Sequence, residues 1–182
     1  MLVWPAMRKL LRLGGIALAL VLVGLFAFGW LQPREHTASS RLTLRAAPEV
    51  VWSLITDHDA MTGWRSDVKK VERGPDQDGK VVWVETSGFG KLPLRVEAAE
   101  APRLYRLKIA ADDLGFGGTW TYRIEPAGAG CTLTITEDGF VDSLVFRALG
   151  PLMGGHHATI DAYLRDVAQK LGETAEPQHV TA

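Results

Sequence analysis

Apolar positions follow three regimes along the chain: an unbroken run near the N-terminus, a long middle stretch of period two, and a C-terminal stretch at helical spacing. The run Leu13 to Leu31, LGGIALALVLVGLFAFGWL, is 19 residues without a charge. As a helix it spans roughly 28 Å, close to the hydrocarbon thickness of a bilayer, and predicts a membrane anchor. From Ser40 to Ala46, Leu42 and Leu44 alternate with Arg41, Thr43 and Arg45, as in a half-buried strand. Pro48 then opens a short helix, PEVVWSLITD, with proline in the first turn and Glu49 near its positive end. A second short helix is expected over Asp57 to Trp64, where Asp commonly caps a helix start; His58 and Asp59 are read as part of that capping.

Five or six strands fit the region from Asp67 to Glu137, separated by turn residues such as Gly74-Pro75-Asp76, Asp78-Gly79 and Gly128 to Gly130. They are Val68 to Arg73, Lys80 to Ser87, Lys91 to Ala99, Leu104 to Ala111, Thr119 to Glu125 and Cys131 to Glu137. Leu92, Leu94 and Val96 share one face, as do Tyr105, Leu107 and Ile109, and Trp120, Tyr122 and Ile124. One face of the sheet is therefore apolar and the other wet, and a helix must cover the apolar one. In the second strand either Val82 and Val84 or Val81 and Trp83 point inward. In the last, Glu137 continues the inward row of Leu133 and Ile135, unless the strand ends one residue earlier.

The covering helix is the stretch Phe140 to Leu171. Its second half carries a stripe of Ile160, Tyr163, Leu164, Val167 and Leu171. Its first half is apolar nearly all round and is broken by Gly150, Pro151, Gly154 and Gly155, so that it is either a kinked core helix or a movable cover.

Composition changes this picture little. With 182 residues, 47% hydrophobic and 23% charged, the chain fits one globular domain plus the anchor. Arg8, Lys9 and Arg12 precede the apolar run and only Arg34 closely follows it, which places the N-terminus in the cytoplasm and the domain outside it, as a single-pass membrane protein. A cleaved signal peptide is the competing reading, but Ala27-Phe28-Gly29 is a poor cleavage site. No basic stripe suggests nucleic acid. The single Cys131 excludes an internal disulfide framework and a thiol-rich metal site. His156 and His157 are adjacent and would point about 100° apart on a helix, which is poor geometry for chelating one ion. The expected division is a basic segment (1–12), anchor (13–31), linker (32–39), α+β domain (40–172) and a disordered tail (173–182).

The order of elements, and the wording RAAPEVVWSLITDHDAMTGWRSDVKKVE, GCTLTITEDGF and HATIDAYLRDVAQKL, resemble the SRPBCC superfamily, which includes START lipid carriers and polyketide cyclase/dehydrase-type proteins. The resemblance covers the whole soluble domain. It implies a helix-grip fold, a curved antiparallel sheet of six to seven strands wrapped on a long C-terminal helix. It also implies a cavity between helix and sheet for a lipid or other hydrophobic small molecule. Neither a cofactor nor a metal is expected. The candidate lining is Trp64, Trp83, Leu94, Tyr105, Leu107, Trp120, Tyr122, Glu137, Phe146, Met153, Ile160 and Leu164. No Ser/His/Asp set or phosphate loop is present to name a catalytic residue. A membrane-tethered binding or carrier domain is therefore the leading reading. A cyclase/dehydrase-type enzyme using cavity acids, and an interaction domain whose aromatic residues fill the cavity, are the alternatives.

Overall fold

The computed structural model describes residues 3–88 and 90–181; the side chains of residues 3–6, 8–10, 152 and 153 lie outside the description. It opens with helix α1 (Val3–Leu31), of which Leu11–Leu31 is long and apolar enough to cross a membrane and is exposed along most of its length, Gly29 being buried. Only Gln32 to Arg34 separate α1 from strand β1 (Glu35–Leu44). Helix α2 (Pro48–Thr56) and a 3-10 turn (Met61–Gly63) follow, then strands β2 (Val68–Arg73), β3 (Val82–Ser87), β4 (Gly90–Glu100), β5 (Leu104–Ile109), β6 (Phe116–Ala127) and β7 (Gly130–Val141). Helix α3 (Leu144–Leu149), a 3-10 turn (Gly150–Met153), helix α4 (His157–Lys170) and a two-residue strand β8 (Gln178–His179) complete the chain.

All pairings are antiparallel, in the order β2-β3-β4-β5-β6-β7-β1-β8. The alternation read from the sequence sets the register: Leu42 faces Leu133 and Ser40 faces Ile135 across β1 and β7, and Tyr105 faces Tyr122 across β5 and β6. These residues and the α4 stripe Ile160, Tyr163, Leu164 and Val167 form one core, closed at its far end by Val51 and Ile55 of α2. The opposite face of the sheet carries ion pairs such as Arg95 with Glu97 (2.7 Å) and with Asp78 (2.6 Å). This is the helix-grip arrangement, with an apolar helix added at the N-terminus.

Three differences from the sequence reading matter for the site. β1 and β7 are longer than the alternation suggests, because the polar stretch Glu35 to Ser39 pairs with Thr136 to Phe140 through backbone bonds that no side-chain period reveals. Phe140 and Val141 are thus strand, and helix begins only after Ser143, whose hydroxyl accepts from the Phe146 amide (3.4 Å). Gly154 and Gly155 at φ 94° and 70° separate the broken half from α4. At the other end the tail returns to the sheet: Gln178 and His179 pair with Arg41 and Ser40, and Val180 donates to the Ser39 carbonyl (2.9 Å).

Candidate functional site

The loop after the 3-10 turn carries an arginine into the interior. Asp166 on α4 accepts from the Ser66 amide (2.7 Å) and the Ser66 hydroxyl (2.8 Å), pinning the loop against the helix. Arg65 beside it then points inward with only 8% of its side chain exposed. Asp67 takes two of its N–H groups (2.9 and 2.8 Å), Glu85 of β3 lies at 3.6 Å, and the guanidinium carbon sits 4.6 Å over the Tyr163 ring. A buried charge is costly unless matched, and here two carboxylates and an aromatic face match it.

Around this cluster stand aromatic rings. Tyr163 meets Trp64 and Tyr122 at 5.5 Å between centroids and Trp120 at 6.3 Å, and Tyr105 meets Tyr122 at 6.0 Å. His58 stacks on Trp83 (4.6 Å) and shares a 2.7 Å hydrogen bond with the Tyr105 hydroxyl. Among the described residues, the Tyr163 hydroxyl meets no partner at full hydrogen-bond geometry, although the Tyr122 hydroxyl is near enough to act on it.

Burial sets the electrostatics. It raises the Glu85 carboxyl above the usual range, partly offset by Arg65, and raises the hydroxyls of Tyr105, Tyr122 and Tyr163. It pushes the His58 imidazole down to about 4, with Asp57 opposing the shift and Arg65 adding to it. Arg65 stays charged: burial opposes this, but Asp67 and Glu85 outweigh it. The cluster thus offers tyrosine O–H donors and a fixed cation beside a carboxyl whose pKa burial raises.

Between these groups and the sheet lies a cavity of about 110 Å³. Its apolar wall is Leu92, Leu94, Leu107, Ile109 and Trp120, its polar wall Arg65, Asp67, Glu85, Ser87 and Tyr122, and α4 contributes Thr159. That is room for one ring-sized group, against roughly 300 Å³ or more for a typical ligand pocket. The aromatic residues occupy much of the space a curled sheet would leave. Outside, Thr62, Trp64, Ser66, Asp166 and Lys170 border an open groove of about 450 Å³, and Arg65 touches both spaces.

Of the residues expected at the cavity from sequence, Leu94, Leu107, Trp120 and Tyr122 line it. Trp64 borders the outer groove, and Ile160 and Leu164 are wholly buried in the core below. Trp83 shares the inward parity of Glu85 and Ser87, and stacks on His58 while Tyr105 bonds the same imidazole. Glu137 keeps the inward parity, opposite Trp120, but its neighbour is His36 (3.4 Å), and neither Arg95 nor Arg106 reaches it. Phe146 is 61% exposed, outside the cavity, and the Met153 side chain lies outside the described residues.

Sequence reasoning missed Arg65, Glu85 and His58. Glu85 had a usable signal, a carboxylate two residues from Trp83 in an alternating strand. His58 was read with Asp59 as a cap; Asp57 instead takes the Ala60 amide (3.2 Å) while His58 turns inward. A histidine joint sits apart from the cavity: His36 stacks on His156 (3.5 Å) and His157 on His179 (3.9 Å), with Asp161 bonding His179 (2.9 Å). No three metal-binding side chains converge among the described residues.

Residues 35–176 match the sequence profile of the family described as polyketide cyclase / dehydrase and lipid transport. No curated protein matches the chain by sequence. Among solved structures, the Zhui aromatase/cyclase from a Streptomyces species is similar at 17% identity and a TM-score of 0.63, covering 76% of this chain and 94% of its own. Truncated norcoclaurine synthase from Thalictrum flavum follows at 13% and 0.61, covering 77% and 95%. A START superfamily protein from Mycobacterium smegmatis stands at 15% and 0.57, covering 75% and 97%.

Proposed function

This chain belongs to the polyketide cyclase/dehydrase and lipid transport family, and on that premise we propose that its domain binds a hydrophobic small molecule or lipid while tethered to a membrane. The observation that carries the reading is the cavity itself, apolar along β4 and β5 and ending on Arg65, Glu85 and Tyr122. A fold that needed only stability would place apolar side chains there, since a buried ion pair seldom stabilises more than a hydrophobic replacement. The polar end supplies both donors and an acceptor for one polar group of a ligand, and the leucine and tryptophan wall takes an adjoining ring or the start of a chain. A larger molecule enters by displacing Trp120 or Trp64 from the aromatic cluster. The apolar helix Leu11–Leu31 supports the tether, and the basic residues before it support a domain outside the cytoplasm.

Native mass spectrometry of the full chain released from detergent tests the reading. The expected result is a bound hydrophobic mass that disappears on denaturation and in a Leu94→Trp variant, whose indole projects into the cavity and takes up much of it. A ligand-free wild-type spectrum, or equal occupancy in the variant, would overturn it. Glu85 favours a second reading, because a buried carboxyl whose pKa is raised, lining the same cavity as Tyr122, is suited to general acid/base work on a carbonyl. Conversion of the copurifying ligand that is lost in Glu85→Gln, with binding kept, is the outcome that selects catalysis.

A further inference from the structure

We infer that α3 and the tip of β6 form a second membrane contact, seating the cavity end of the domain on the lipid surface; this rests on the membrane-tether reading above. The chain leaves α1 at Leu31 and enters β1 at Glu35. Three linker residues span at most about 10 Å, so whatever surrounds Glu35 lies close to the bilayer boundary. Glu35 pairs with Phe140, and Phe116 pairs with Val141 in the adjoining ladder. That end is fixed as well as near. The Val141 amide donates to the Arg34 carbonyl (2.9 Å), Arg34 bonds Asp142 (2.6 Å), and Arg147 of α3 donates to the Gln32 carbonyl (3.3 Å).

α3 sits lower still. A methyl group added at Gly29 would overlap the Leu144 carbonyl, so the first turn of α3 touches the last turn of the apolar helix. Gly29 lies inside the span Leu11–Leu31, which sets α3 level with the boundary between hydrocarbon and headgroups. Side-chain exposure follows the same geometry. Outside α1, the large hydrophobic residues left exposed among the described residues are Val50, Val81, Phe116 and Phe146, and the two aromatic ones, 38% and 61% exposed, are both at this end. An exposed aromatic pair next to a spanning helix is suited to insertion among acyl chains. The contact is apolar rather than electrostatic, because the basic Arg34 at this end is already paired with Glu35 and Asp142, and Asp112 and Asp113 would oppose anionic lipid. Gly118, which lines the cavity, is two residues from Phe116. The contact therefore places the ligand site beside the bilayer, within reach of molecules dissolved in it.

The test uses the full chain in phosphatidylcholine vesicles, with an environment-sensitive thiol dye at Phe146→Cys, Phe116→Cys or, as the distal control, Ala129→Cys. Cys131 is buried and stays unlabelled. Ala129 lies at the opposite end of β6, roughly 35 Å away. The proposal expects spin-labelled acyl chains to quench positions 146 and 116 roughly twofold or more and to leave 129 unchanged, with no gain from added phosphatidylglycerol. A carbonate-resistant protein in which all three positions stay unquenched overturns the second contact and leaves the tether standing. Protein extracted by carbonate overturns the tether and the contact together.

Discussion

At the scale of single residues, His58 shows how burial writes a pH dependence into the fold. It is 3% exposed, sandwiched by Trp83 and bonded to Tyr105, and its folded pKa falls from 6.5 to about 4. In the unfolded chain the imidazole takes its proton first, so the unfolded state binds more protons between those values and stability rises with pH across the window. The contribution is complete above pH 6.5 and is lost as pH falls toward 4, a change of roughly 3 kcal/mol. Glu85, whose folded carboxyl is raised by burial, acts in the opposite sense: it costs stability at neutral pH and is relieved as the solution becomes acidic. His58→Gln separates the two. Urea unfolding of the detergent-solubilised chain at pH 7 and pH 4.5 is expected to show a smaller acid loss in the variant than in the parent. An equal loss would assign the acid sensitivity elsewhere.

Asp166 belongs to the scale of elements, because it joins α4 to the loop that aims Arg65. Asp166→Ala leaves the Ser66 amide without its acceptor and is expected to cost about 1–3 kcal/mol. Hydrogen exchange at residues 64–67 should accelerate ahead of the rest of the sheet. Asp166→Asn, which keeps an acceptor oxygen, should recover most of the loss. Arg165→Ala, next to it but facing Glu176 at the surface (3.0 Å), is expected to cost under about 1 kcal/mol. These elements also show what the sequence reveals and what it hides. Strands β4 to β7 and helix α4 follow from their periods, since each buries one face on a continuous core. The leucine and aromatic wall of the cavity follows for the same reason. Arg65 does not, because its direction depends on Ser66 beside it being held by a helix residue 100 positions away. The extended start of β1, the end of β7 and β8 are equally hidden, being held by backbone pairing that leaves no mark on side-chain pattern.

For the whole molecule, the proposed tether raises first the question of which side of a membrane the domain would occupy. Basic residues precede the apolar helix, so protease added to intact cells after permeabilising any outer envelope is expected to cut the domain. Protection under those conditions would reverse the orientation. The second question arises from the sheet. Among the described residues β2 forms one edge, and β8 with Val180 covers Ser39 to Arg41 of β1 at the other. Exposed strand edges recruit other strands, and proteins blunt them with lysine and irregular pairing. β2 has Lys69 and Lys70 exposed on that edge, with its register to β3 shifted between Val68 and Lys70. On the proposed tether, copies in one bilayer would share a plane and an orientation, so their edges would meet far more often than those of freely tumbling molecules, and the lysines on β2 would then act as spacers between neighbours. Replacing both with threonine is expected to leave the fold intact and to increase chemical crosslinking between copies in vesicles; unchanged crosslinking would show that the edge is guarded by something other than charge.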